Sequence, residues 1–195
     1  MIRRGVDWGE AAPIPPLVVA VPTDAGLAAL VAGSDPRPLR LVGGDLLATL
    51  GGSSSGRTLR RVPIDVMTVV ADDRRITGVA HVVARGRTWW RGPIVAVMNA
   101  EHIGTWDVAP RAHPNDGQLD VVEVDAAMTM RARWQARRRL PAGTHVPHPA
   151  IAMSRAKHRS WTFERPLRLW VDGVAHGTVR SLGVAIEPDG VIVYT

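Results

Sequence analysis

Asn115, Asp116 and Asp120 stand close together in His113-Pro114-Asn115-Asp116-Gly117-Gln118-Leu119-Asp120. Their side-chain oxygens are hard ligands of the kind that Mg2+ and Ca2+ take. The same run also closes an Asx-turn with no metal, because Gly117 can adopt positive φ and Asn115 or Asp116 can accept from the turn backbone. His102, His113, His145 and His148 offer zinc donors, but no two lie four apart for one helix face and the chain has no cysteine. Hydrogen bonding within their own loops is the other reading. Trp89-Trp90 lies among Arg85, Arg87 and Arg91. Indole favours the headgroup region of a bilayer and guanidinium reaches phosphate. Trp89, Trp90, Arg87 and Arg91 are therefore expected at a surface that touches anionic lipid or another phosphate-bearing partner. Trp134 and Trp170 stand among apolar residues and are expected in the core. The run from Arg131 to Arg139 reads as a solvated helix face, and no nucleic-acid-binding pattern accompanies it.

The elements that must position these residues change character along the chain. Leu17–Val21 and Leu39–Val42 read as strands. Asp24–Val31 reads as a helix with Asp24 as its N-cap, and a short helix follows Gly43-Gly44-Asp45 as far as Leu50. Strand–helix–strand–helix is the α/β pattern. Ser53–Arg61 reads as a polar linker. Beyond it come short β-type runs: Val62–Val70, Thr77–Ala84, Ile94–Met98, Leu119–Val124, Ile151–Met153, Ser160–Phe163, Leu167–Val171, Ser181–Ile186 and Val191–Tyr194. Asp172-Gly173 and Asp189-Gly190 are hairpin-type turn signals. Ala126–Leu140 is the one clear helix of this part, stopped by Pro141, with Met130 and Trp134 on one face. The predicted class is α+β, predominantly β, with a short α/β segment over residues 1–60 and a β-sandwich over 61–195.

The 195 residues can bury a full core, and the composition, 46% hydrophobic and 22% charged, is that of a globular protein. No apolar run approaches the roughly 20 residues of a membrane span, and the N-terminus lacks the apolar core of a secretory signal. The expected location is the cytoplasm, with peripheral contact at the inner face of the membrane. The net charge of +6 is carried almost wholly by arginine, which suits contact with phosphates.

Ile94 to Asp125 carries two apolar β-runs with a polar loop between them. In it, Asn99 ends a strand, and Val108-Ala109-Pro110-Arg111-Ala112 leads through Asp116-Gly117 to Leu119-Asp120-Val121-Val122. This stretch resembles bacterial diacylglycerol kinases and related lipid kinases. So do Pro63-Ile64-Asp65-Val66, Gly143-Thr144-His145-Val146-Pro147-His148-Pro149, Asp172-Gly173 and Val184–Pro188. The resemblance covers about two thirds of the chain. It implies a β-sandwich of the kind also found in NAD kinases, a structural Mg2+ near Asn115, Asp116 and Asp120, and a role for Asp172 as general base toward a lipid hydroxyl.

The N-terminal third departs from that pattern. Where lipid kinases carry a Gly-Gly-Asp-Gly-Thr loop against the nucleotide phosphates, this chain reads Pro22-Thr23-Asp24-Ala25-Gly26. Pro22 lacks an N–H, and Thr23 and Ala25 add side chains where backbone must approach. A second phosphate-contacting motif reads Val42-Gly43-Gly44-Asp45-Leu46-Leu47-Ala48, and the kinases' Asp-Gly-Glu reads Asp172-Gly173-Val174. The resemblance thus assigns nucleotide contact to Asp24, Gly26, Gly44 and Asp45 in a weakened form. The expected function is that of a degenerate lipid-kinase-family protein. It would bind a lipid or phosphate-bearing ligand or act as a regulatory module, without standard ATP phosphotransfer. The alternative is an active ATP- and Mg2+-dependent lipid kinase whose altered pocket a homodimer completes.

Overall fold

The computed structural model describes residues 8–52 and 59–195. The expected linker at 53–58 and the first seven residues of the expected N-terminal arm lie outside the described residues. Thirteen strands and three helices follow in order: β1 (Glu10–Ala12), β2 (Val19–Val21), α1 (Asp24–Ala32), β3 (Leu39–Leu41), α2 (Asp45–Thr49), β4 (Leu59–Ala71), β5 (Arg74–Gly78), β6 (His81–Arg85), β7 (Ile94–Met98), β8 (His102–Ile103), β9 (Trp106–Asp107), β10 (Leu119–Val124), α3 (Met130–Arg139), β11 (Ile151–Ala156), β12 (His158–Val171) and β13 (Val174–Tyr194).

Eleven strands form one sheet whose main path runs β1-β4-β13-β12-β6-β7-β10-β11, and β8 pairs β9 apart from it. The fold is the expected α+β, predominantly β, sandwich type. The sequence of β7 reads as a continuous apolar run and that of β10 as one broken only by Asp120 and Glu123. Val95, Val97, Leu119 and Val121 face one core. Ile94, Ala96, Met98 and Val122 face another, beneath α3. A strand buried on both faces has no polar alternation to show.

The longest strands differ from expectation. Ser160–Phe163 and Leu167–Val171 belong to a single β12, and Ser181–Ile186 and Val191–Tyr194 to a single β13. Asp189-Gly190 is not a hairpin turn but an irregularity within β13, where the register to β4 shifts between Glu187 and Val191. β13 thereby reaches far enough to pair in parallel with β3 through Val193 and Tyr194. The α/β segment and the sandwich share one sheet, and a third core lies where α1 and α2 cover it. Leu59–Arg61, expected in the linker, already belong to β4. Among the described residues no helix is long and apolar enough to cross a membrane.

Candidate functional site

Four ionisable side chains meet where the α/β segment joins the sandwich: Asp24, Asp45, His81 and Asp172. Thr23, not Asp24, caps α1, its hydroxyl accepting the N–H of Gly26 at 3.1 Å. Asp24 is therefore free to turn to α2, where its carboxylate accepts the N–H groups of Asp45 at 2.6 Å and Leu46 at 3.2 Å. The N-cap of α2 itself is Gly44, with φ +97° and no side chain to offer. Asp24 does across space what an N-cap side chain does locally. Burial pushes its carboxyl up to about 6, with the charges of Asp172 and Asp45 adding to the rise and the two N–H bonds opposing it.

Asp172 stands at the β12–β13 turn with φ +49°. Its carboxylate accepts three backbone N–H groups: Val79 at 2.9 Å, Ala80 at 2.8 Å and His81 at 2.9 Å. The side chain is buried, and burial raises its pKa against those three bonds. His81 sits beside it, with Nδ1 3.5 Å from Oδ2 of Asp45. Burial lowers its pKa while Asp172 and Asp45 oppose that. The other oxygen of Asp45 accepts the N–H of Gly104 at 2.8 Å. The fold thus brings Asp24, Asp45 and Asp172 together. It leaves Gly26 in the first turn of α1, its N–H occupied by Thr23. His81 escaped the sequence reading, although a lone histidine amid the apolar run 79–84 was a signal that could have found it.

A second polar centre forms around Asp65, which is fully buried. Oδ2 accepts Gly117 N–H at 2.7 Å, and Oδ1 accepts Asp189 N–H at 2.9 Å and the Asn115 amide at 3.3 Å. The Asn115 amide also donates to Asp189 at 2.7 Å, and its oxygen accepts Trp8 Nε1–H at 3.1 Å. Asp116 and Asp120 face the other way, toward Arg155, which stands opposite Asp120 across the β10–β11 ladder. The three proposed magnesium ligands therefore point to two different places, and a guanidinium already neutralises two of them. Among the described residues no group of three acidic or histidine side chains is placed to hold a metal. The residues present do not fit Mg2+ in this arrangement. Asp116 does form the Asx-turn, accepting Gln118 N–H at 3.0 Å.

The third feature is an apolar cavity of about 100 Å³ between α3 and the β7–β10 face, lined among others by Trp89, Ile94, Trp106, Ala136 and His145. Trp89 packs edge-on against Trp106 with ring centroids 5.7 Å apart. Arg85 lies over Trp89 at 4.4 Å and over Trp170 at 4.3 Å. Trp89 is a cavity wall, not the free surface contact that its arginine neighbours suggested; Arg87 and Arg91 are exposed as expected. The reverse holds for Trp134, expected in the core and 50% exposed. Arg133 takes its place in the buried stripe of α3. Its guanidinium donates to the carbonyls of Met128, Trp89, Gly92 and Asp125 at 2.5–3.1 Å. His145 is 4% exposed in the cavity wall. Neither of its ring nitrogens makes a hydrogen bond of normal geometry, although the backbone of Val108 lies beside the ring.

Comparison with known proteins bears on the fold. Residues 63–195 match the family described as the YegS C-terminal NAD kinase beta sandwich-like domain. No curated protein sequence matches the chain. Three solved structures from Bacillus anthracis str. Sterne share the fold, all described as diacylglycerol kinases, two of them provisionally. Their TM-scores are 0.64, 0.66 and 0.62, at 13%, 12% and 14% identity. Each alignment covers 90% of this chain, and 76%, 76% and 74% of the respective neighbour. The family match extends over most of the chain, from within β4 to the last residue, and on that ground the chain belongs to the family of the YegS C-terminal NAD kinase beta sandwich-like domain.

Proposed function

We propose that the chain is a ligand-binding member of this family that holds an apolar chain end in the cavity beneath α3 and does not carry out standard ATP phosphotransfer. The observation that carries the reading is the cavity itself, lined by apolar side chains with Arg133, Arg137 and His145 as its polar members; the His145 ring has a buried and unanswered hydrogen-bonding capacity. An orphaned polar group in such a place is costly unless a ligand or water meets it. At about 100 Å³ the space is smaller than the roughly 150 Å³ that encloses benzene. It suits the end of an alkyl chain with one polar group, and a whole diacylglycerol would have to leave most of its bulk outside.

The absence of phosphotransfer is argued from groups already in use. The backbone N–H groups at the start of α2, which a phosphate would need, donate to Asp24. A side chain at Gly43 would lie 2.6 Å from the Pro22 carbonyl, and one at Gly44 would lie 2.5 Å from Asp24. Both glycines thus serve packing within the chain. The carboxylate of Asp172 is turned onto three N–H groups, which hold it in place as an anchor.

The test is calorimetric titration with a medium-chain fatty alcohol and a short-chain diacylglycerol. Binding that Ala136→Phe weakens at least tenfold, with the melting temperature kept, is the expected result. Undiminished binding in that variant, or no binding of either compound, overturns the cavity reading. A second reading, an altered but working kinase, is favoured by the convergence of Asp24, Asp45, His81 and Asp172. ATP turnover dependent on diacylglycerol and lost in Asp172→Asn would establish it.

A further inference from the structure

The elements around the cavity are not equally fixed. β7 and β10 belong to the main sheet, and Arg133 ties α3 down through four carbonyls. The β8–β9 hairpin is different. It is a pair of two-residue strands apart from that sheet, with Ile103 opposite Trp106 and His102 opposite Asp107. Ile103 and Trp106 line the cavity and are half-buried, so they stand between it and solvent. The tip, Gly104-Thr105, is exposed. His102 Nδ1 and Asp107 Oδ1 are buried in the hairpin with no hydrogen-bond partner. Such atoms penalise the closed position and would gain water if the hairpin swung out. Much of what opposes that comes from outside the cavity. Oδ1 of Asp45 accepts the N–H of Gly104 at 2.8 Å at the tip, and Oγ1 of Thr49 accepts the N–H of Glu101 at 3.0 Å at the base. Thr49 in turn donates to the Asp45 carbonyl at 2.9 Å. On the cavity side, Trp106 adds ring contacts to Trp89 at 5.7 Å and to the Arg137 guanidinium at 5.3 Å.

We propose that the β8–β9 hairpin is the lid of the cavity and that Asp45 is the latch that holds it closed. The proposal rests on the cavity reading and adds its control: a ligand enters and leaves when the Asp45–Gly104 bond opens. Asp45 does not line the cavity. It is a positioning residue that acts through the Gly104 N–H. Both of its oxygens are placed, Oδ1 on the hairpin tip and Oδ2 3.5 Å from His81 Nδ1. A hydrogen bond to a carboxylate is about twice as strong as one between neutral groups. Here it holds an element whose own pairing is short. One hairpin thereby joins the polar centre, where the α/β segment meets the sandwich, to the apolar cavity. Anything that draws the Asp45 carboxylate aside loosens the lid.

The experiment uses the full chain and two measurements. Stopped-flow tryptophan fluorescence follows the binding of a medium-chain fatty alcohol. Amide hydrogen exchange at 103–107, Gly104 set aside, is read on the free chain. Asp45→Ala should raise both the association and the dissociation rate, and the exchange, about tenfold, the factor for one bond to a charged group. Kd should stay within about twofold, because a lid that opens more often speeds entry and exit alike. A cavity merely damaged by the substitution would bind more weakly without filling faster. Asp45→Asn keeps an oxygen for Gly104 and offers its NH2 to His81 Nδ1, which has no hydrogen-bond partner. It should restore the unmodified rates. Thr49→Val leaves the Asp45 side chain in place and releases only the base of the hairpin, so it serves even where Asp45→Ala does not fold. It should raise the same rates about fivefold. A weaker Kd with an unchanged association rate, raised exchange with unchanged binding rates, or no rescue by asparagine overturns the proposal. Exchange is measured without ligand. Failure of the alcohol to bind the unmodified chain therefore sinks the cavity reading, and unchanged exchange in the variants sinks the latch.

Discussion

The α-carbon of Gly44 lies against the carboxylate of Asp24: a side chain at 44 would come within 2.5 Å of Oδ1. Gly44 also has φ +97°, a conformation that L-residues with a side chain avoid. Steric and backbone costs therefore fall on the same position. Gly44→Ala should destabilise the fold by about 2–4 kcal/mol. Gly26→Ala, where the nearest atom is the Thr23 hydroxyl at 3.1 Å and φ is ordinary, should cost about 1 kcal/mol or less. Urea unfolding of the two variants checks the difference.

The Asp24 carboxyl is held at about 6 in the folded chain, against an ordinary value of 3.8. A raised carboxyl means that the folded state binds the proton more tightly. Its contribution is favourable at low pH and is lost as pH rises through about 6. The two values correspond to about 3 kcal/mol. Asp24→Asn removes this dependence. The stability of the unmodified protein minus that of the variant should therefore rise as pH falls from about 7 to about 4, and remain flat above 7. Denaturant titrations at several pH values measure it, and a difference independent of pH would contradict it.

Asp172 answers three buried N–H groups. Alanine would leave all three without a partner, and asparagine would answer some of them but place its NH2 against another donor. Asp172→Ala should cost about 3–5 kcal/mol and Asp172→Asn about 2–3 kcal/mol, since each abandoned buried group costs about 1–3 kcal/mol. A solvent-facing base would give small effects for both. Thermal unfolding decides between the anchor and the base.

What the sequence made legible and what it hid have identifiable causes. β7 and β10 were legible because burial on both faces leaves β7 an unbroken apolar run and β10 one broken only by Asp120 and Glu123. β13 was hidden because Pro188-Asp189-Gly190 has the composition of a turn. The chain continues there because Asp65, far away in sequence, takes the Asp189 N–H and Val66 fills the space where a side chain on Gly190 would go. Thr23 and Asp24 are both good N-caps, and only the needs of α2 decide between them. The exchanged places of Trp89 and Trp134 trace to Arg133. A guanidinium in the buried stripe breaks the apolar pattern of α3, and two of the carbonyls that satisfy it come from the distant 86–93 loop.

Arg133 is accordingly expected to be the least replaceable residue of α3. Its three guanidinium nitrogens reach four carbonyls, and lysine can place only one ammonium among them. Arg133→Lys should cost about 2–3 kcal/mol and Arg133→Ala more. Both should raise amide hydrogen exchange at 89–93 ahead of the β7–β10 ladder, because the loop loses its attachment first. Uniform exchange across the two regions would show that the loop is held by its tryptophans instead.

The Asp65–Asn115 pair yields the last expectation. Asn115 uses both ends of its amide, donating to Asp65 and Asp189 and accepting from Trp8. Turning it toward a metal beside Asp116 and Asp120 would abandon these bonds and require Arg155 to leave its two carboxylates. Neither move is favourable while Asp65 stays buried, because the carboxylate depends on its donors. Millimolar Mg2+ should therefore leave the melting temperature unchanged. Asn115→Ala should lower stability by about 2–3 kcal/mol with or without the ion. Arg155→Gln supplies the sharper test, since it frees Asp116 and Asp120 of their cation while leaving the Asp65 centre intact. If that variant gains stability from Mg2+ and the unmodified protein does not, Arg155 stands where the ion would otherwise sit. If the unmodified protein is stabilised as well, the loop rearranges around the metal, and the separation of Asn115 from its two neighbours is not the state that binds.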